Sequence, residues 1–85
     1  MPTFTLYSRS YCHLCDDMLA ALLRLQPEFD FTVKVIDLDT EAPPALLALY
    51  DELVPVLLLG NDEQPVCHYF LDEAAVRQRL LAQKA

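Results

Sequence analysis

The chain has 85 residues, 54% of them apolar, and 13 acidic residues against six basic ones give a net charge of −7. That apolar content excludes a disordered chain, and six scattered bases exclude a footprint for the nucleic-acid backbone, so no nucleic-acid partner is expected. No apolar run approaches the roughly 18–20 residues of a membrane span, no signal segment opens the chain, and an odd number of cysteines suits a reducing compartment. The expectation is one cytoplasmic domain over residues 1–85, away from membranes and acting as a monomer.

Thr3 to Tyr7 alternates Thr with aromatic and apolar residues and reads as a first strand. From Leu14 the period changes: Cys15, Met18, Leu19, Leu22, Leu23 and Leu25 recur at steps suited to one face of a helix. Ser10 is the expected N-cap, Asp16 and Asp17 suit the positive end of the helix, and Pro27 ends it. Phe31 to Leu38 is a second strand. Pro43 and Pro44 then open a short helix, Ala45 to Tyr50, with Leu46, Leu49 and Tyr50 as its buried face. Val56 to Leu59 is apolar throughout, as in a strand covered on both faces. A turn at Gly60-Asn61-Asp62-Glu63 leads to a fourth strand, Pro65 to Tyr69, at an edge because of Pro65. Asp72 caps a last helix running to about Gln83, with Val76 and Leu80 inward.

The order β-α-β-α-β-β-α predicts an α/β fold. Its first two strands are parallel and its last two antiparallel, in a mixed four-stranded sheet with helices on both faces.

Cys12-His13-Leu14-Cys15 lies where the first strand gives way to the helix. Residues i and i+3 on a helical turn are about 5 Å apart, inside the window of roughly 4.4–6.8 Å between Cα atoms that a disulfide needs. The unpaired N–H groups of a helix start favour a thiolate. Cys12 is therefore the expected nucleophile and Cys15 its resolving partner, with His13 between them able to tune the thiolate when protonated. Arg9 and Tyr11 precede the pair and are candidates for contacting substrate.

With that motif in that order of elements, the chain resembles the thioredoxin superfamily, and within it the glutaredoxin-like proteins. Three stretches carry the resemblance: Cys12-His13-Leu14-Cys15 after the first strand, Ile36-Asp37-Leu38-Asp39 at the exit of the second, and Val54-Pro55-Val56 before the third. It covers essentially the whole chain. It implies a thioredoxin-like fold, a cis peptide before Pro55, and an exposed Val54 backbone for an extended substrate. It also implies a small thiol–disulfide oxidoreductase without a tightly bound cofactor, whose partners are disulfide-bearing proteins or glutathione mixed disulfides. Asp72 would present a carboxylate and a helix start beside the site. The chain departs from the family at two places. His13-Leu14 stands where Pro-Tyr is usual, and His68-Tyr69-Phe70-Leu71-Asp72-Glu73 lacks the glycine pair that helps hold glutathione, which leaves glutathione as a co-substrate open.

Two other functions stay in view. Cys12, Cys15, Cys67 and His68 could bind zinc, or the cysteines an iron–sulfur cluster, although strand alternation sends Cys67 and His68 to opposite faces. A thioredoxin-like fold without turnover could also serve as a binding module. Cys67 itself reads as a passive small hydrophobe.

Overall fold

A computed structural model describes residues 2–10, 12–60 and 64–84. It contains β1 (Thr3–Ser8), α1 (His13–Leu23), β2 (Thr32–Asp37), α2 (Pro44–Tyr50), β3 (Val56–Leu59), β4 (Cys67–His68) and α3 (Glu73–Lys84). The sheet order is β2-β1-β3-β4. β1 runs parallel to β2, whereas β1–β3 and β3–β4 are antiparallel. The expected mixed α/β sheet is the one observed.

Period-two alternation divides the apolar residues between two cores. Phe4 and Leu6 of β1 and Leu57 and Leu59 of β3 meet Met18 and Leu22 of α1 and Val76 and Leu80 of α3. On the opposite face Val56, Leu38 and Tyr50 form a smaller cluster with Tyr7, Leu46, Leu47 and Leu58 around them. α1 and α3 therefore cover one face and α2 the other. β1 and β3, the two central strands, contribute side chains to both. The all-apolar sequence of β3 follows from that position.

The structure corrects several boundaries. α1 begins at His13 with Cys12 as its N-cap. Ser10 does not cap it, because its hydroxyl donates instead to Asp37 Oδ2 at 3.2 Å. The helix also ends earlier than Pro27. After Leu23 the chain tightens into i→i−3 bonds, Leu25 N to Leu22 O and Gln26 N to Leu23 O, and Leu23 is left 42% exposed. Leu49 is 60% exposed rather than buried. In so short a helix Leu46, Leu47 and Tyr50 share the inward face, Tyr50 stacks on Tyr7 at 5.4 Å, and Leu49 is rotated away.

β4 shrinks to two residues. Pro65 has no N–H to give, and Tyr69 leaves extended backbone altogether at φ 66°. Gly60, the chain's sole glycine, takes φ 60° at the end of β3, where its N–H returns to the Thr3 carbonyl at 2.8 Å. The rest of the predicted turn, residues 61–63, lies outside the described residues. Among the described residues no helix is long and apolar enough to cross a membrane.

Candidate redox site

The sheet register assembles one edge. Tyr7 pairs with Ile36 and with Val56, and Val56 pairs with His68. One step further along, Ser8 pairs with Asp37 and the Tyr69 N–H donates to the Pro55 carbonyl at 3.0 Å. The C-terminal end of β1, the start of β3 and the end of β4 therefore open on the same side, and the β1–α1 connection with its cysteines rises from that side.

Cys12 and Cys15 are joined by a disulfide with Cα atoms 5.2 Å apart. Cys12 has extended backbone (φ −107°, ψ 104°), as an N-cap requires. Its Sγ accepts the Cys15 N–H at 3.1 Å and its carbonyl accepts the Asp16 N–H at 3.2 Å. The sulfur thus occupies the place a serine or aspartate oxygen takes at other helix starts. The two thiols differ in access: Cys15 is 4% exposed, whereas Cys12 is half-buried. His13, between them, is exposed as the first residue of α1.

Val54 and Pro55 are joined by a cis peptide bond, in agreement with the resemblance. Pro55 is buried and Val54 half-buried. The Val54 N–H donates to the Tyr50 carbonyl at 3.1 Å, so it is not free for the extended substrate that the resemblance implied. Tyr69 clasps this loop from the β4 side. Besides its N–H on Pro55, its phenol donates to the Glu52 carbonyl at 2.7 Å. A left-handed backbone costs a non-glycine residue on the order of 1–2 kcal/mol, so these contacts hold Tyr69 where glycine would sit most easily. Sequence reading treated Tyr69 as an ordinary strand residue. The signal available was the missing glycine pair in this stretch.

Arg9 and Asp72 are both engaged within the chain. The Arg9 guanidinium makes a bidentate pair with Asp39, Nε to Oδ2 at 3.1 Å and Nη2 to Oδ1 at 3.0 Å. The hydrogen bond to Asp39 and its charge raise the guanidinium's pKa further, with smaller contributions from Asp51 and Asp37. With the Ser10–Asp37 bond, this ties the segment before the cysteines to the exit of β2. Asp72 Oδ1 accepts the Ala75 N–H at 3.1 Å and caps the start of α3. Tyr11 lies outside the described residues.

Cys67 is a free thiol packed against the larger core, and His68 on the opposite face is exposed. Burial pushes the Cys67 thiol up, partly offset by the Asp72 backbone N–H. The two do not converge with the Cys12–Cys15 pair. Among the described residues no three His, Cys, Asp or Glu side chains are arranged to hold a metal ion.

A half-buried cysteine capping a helix and a buried one a turn later, on a four-stranded mixed sheet, define a thioredoxin-like fold whose dithiol fits a redox role. The Glutaredoxin-like domain (DUF836) family model matches residues 3–81, and the chain belongs to that family. Among solved structures it is similar to protein Ne2328 from Nitrosomonas europaea, at 38% identity and a TM-score of 0.82 over 93% of this chain and 91% of that one. It is also similar to protein XcR50 from X. campestris, at 32% identity and a TM-score of 0.63 over 93% and 96%. Oxidized mitochondrial thioredoxin 3 from Saccharomyces cerevisiae shares the fold at 17% identity, with a TM-score of 0.63 over 95% of this chain and 77% of that one. None of the curated proteins matches.

Proposed function

We propose that the chain is a small thiol–disulfide oxidoreductase. The observation that carries this reading is the position of Cys12: its sulfur accepts a backbone N–H at the start of α1, and its partner is buried 5.2 Å away between Cα atoms. The same N–H that reaches Sγ in the disulfide would stabilise a thiolate once the bond is reduced.

The reduced protein acts in two exchanges. Cys12 thiolate attacks one sulfur of a substrate disulfide, that S–S bond breaks, and the departing sulfur takes up a proton. Cys15 then loses its proton and attacks Cys12 Sγ, which releases the second substrate thiol and closes the Cys12–Cys15 disulfide. Two electrons pass from the dithiol to the substrate. An external thiol reductant, a protein dithiol or two molecules of a monothiol such as glutathione, restores the pair. Burial of Cys15 orders the roles, because an incoming disulfide reaches Cys12 first. In this reading protonated His13 favours the thiolate, and the Val54 carbonyl beside Pro55 accepts an N–H from an extended substrate. A reducing cytoplasm suits a pair that must be returned to the dithiol.

Two substitutions test this reading on a small neutral disulfide. Cys12→Ser abolishes reduction. Cys15→Ser retains the first exchange and stops at a mixed disulfide on Cys12, visible as an added mass on the intact protein. Turnover by Cys12→Ser equal to that of the wild type would overturn the assignment.

A further inference from the structure

Tyr69 and Phe70 border the edge on which the cysteines sit. Tyr69 is pinned through Pro55 and Glu52, and Phe70 follows directly, its N–H on the His68 carbonyl at 2.7 Å and the residue 70% exposed. The pinned backbone therefore holds a large aromatic residue in water, one position beyond the residue that clasps Pro55. Burying such a ring against a partner is strongly favourable, and the clasp fixes it in advance.

The carboxylates near this aromatic step are Glu52, Asp72 and Glu73, and the one basic ring packed on it among the described residues is His68, edge-on to Tyr69 at 4.7 Å. Glu52 carries the carbonyl that holds Tyr69, and Asp72 and Glu73 begin two residues beyond Phe70. On the other flank Arg9 is neutralised by Asp39. The start of α3, a natural seat for an anion, is filled by the chain's own carboxylate, since Asp72 Oδ1 takes the Ala75 N–H. A ligand with free carboxylates meets repulsion here, and a cationic one meets attraction.

We infer that the disulfide this site reduces is carried by a polypeptide with an apolar and a cationic side chain next to its cysteine. The apolar group docks on Tyr69 and Phe70, the cation faces Glu52 and Asp72, and anionic glutathione disulfide is a poor substrate. The inference rests on the oxidoreductase reading and leaves its chemical steps unchanged.

Single-turnover oxidation of the pre-reduced protein tests it, with acid quenching and intact mass to count oxidised protein. Three octapeptides each carry cysteine as a mixed disulfide with 2-mercaptoethanol beside a leucine. They differ only in an adjacent Arg, Gln or Glu. Glutathione disulfide and bis(2-hydroxyethyl) disulfide are run in parallel. The Arg peptide is expected to react about tenfold faster than the Glu peptide or glutathione disulfide at low ionic strength, with the gap closing as salt is added. Glu52→Lys narrows that gap, and Phe70→Ala slows the Arg peptide. Equal rates for the Arg and Glu peptides, or glutathione disulfide matching the Arg peptide, overturn the inference. If bis(2-hydroxyethyl) disulfide still oxidises wild type and not Cys12→Ser, the oxidoreductase reading survives that result. If the neutral disulfide oxidises neither, both fall together.

Discussion

Cys12 does two jobs with one atom. Its sulfur closes the redox disulfide and also caps α1 by accepting the Cys15 N–H. The i, i+3 spacing at a strand–helix junction made the disulfide legible from sequence, but the cap was assigned to Ser10. What decided against Ser10 is a contact 27 residues away, with Asp37, which no local pattern reveals. Tyr69 was hidden for a related reason. Its conformation is imposed by Pro55 and Glu52 from another part of the chain, so residue preferences within Pro65 to Tyr69 still read as strand. Cys67 was legible as a passive thiol, and its environment gives that reading a testable form. Burial favours the neutral thiol and raises its pKa above the usual 9.0. Folding then holds this proton more tightly than the unfolded chain does. The associated stability is present below the unfolded thiol's pKa and is lost as pH rises through the folded one. In the fully reduced protein, alkylation at neutral pH should label Cys12 well before Cys67, with Cys67 gaining rate only under alkaline conditions. Equal labelling of the two at neutral pH, measured by peptide mass mapping, would remove the distinction.

At the scale of elements, the starts of two helices frame the redox edge, and each is closed by a side chain. For α3 that side chain is Asp72, legible from its position before the apolar period of Val76 and Leu80. Loss of an N-cap oxygen costs about 1 kcal/mol. In a chain of this size such a loss lowers the melting temperature by roughly 4–8 °C. Asp72→Ala should show that shift in a thermal melt, and Asp72→Asn, which keeps an acceptor, should recover most of it. A melt unaffected by Asp72→Ala would show that the cap bond contributes nothing to holding α3. The helix limits were less legible than the helices themselves. Leu23 and Leu49 fit an apolar period in one dimension, but each helix buries only the arc its sheet face accepts. The two central strands fared better, because the composition of β1 and β3 reports burial on both faces, whereas the edge strand β4 kept only Cys67–His68.

The whole molecule is divided unequally by its sheet. One face carries α1 and α3 over a core that includes Phe4, Leu6, Leu57 and Leu59, and the other carries only the seven-residue α2 over Leu38, Tyr50 and Val56. A helix of that length has little stability of its own, so α2 depends on packing. Tyr50 is its one buried side chain, and Pro43 at its N-cap makes no side-chain hydrogen bond to its first turn. α2 nevertheless leads into the Tyr50–Pro55 loop, where Tyr50 and Glu52 lend the carbonyls that hold Val54 and Tyr69. The redox edge is thus built partly on the least supported element. Segments with few buried contacts open locally, at a lower free energy than global unfolding. Native-state hydrogen exchange should therefore show α2 amides opening through such a local step, insensitive to low denaturant. Amides of β1, β3 and α1 should exchange only with the unfolding of the whole chain. Tyr50→Ala removes the stacked ring on Tyr7 and should accelerate exchange in α2 and at Tyr69 together, because the clasp shares that loop. If α2 instead exchanges with the same free energy and denaturant dependence as β1 and β3, the two faces form one cooperative unit, and the Pro55 side of the site is as rigid as the cysteine side.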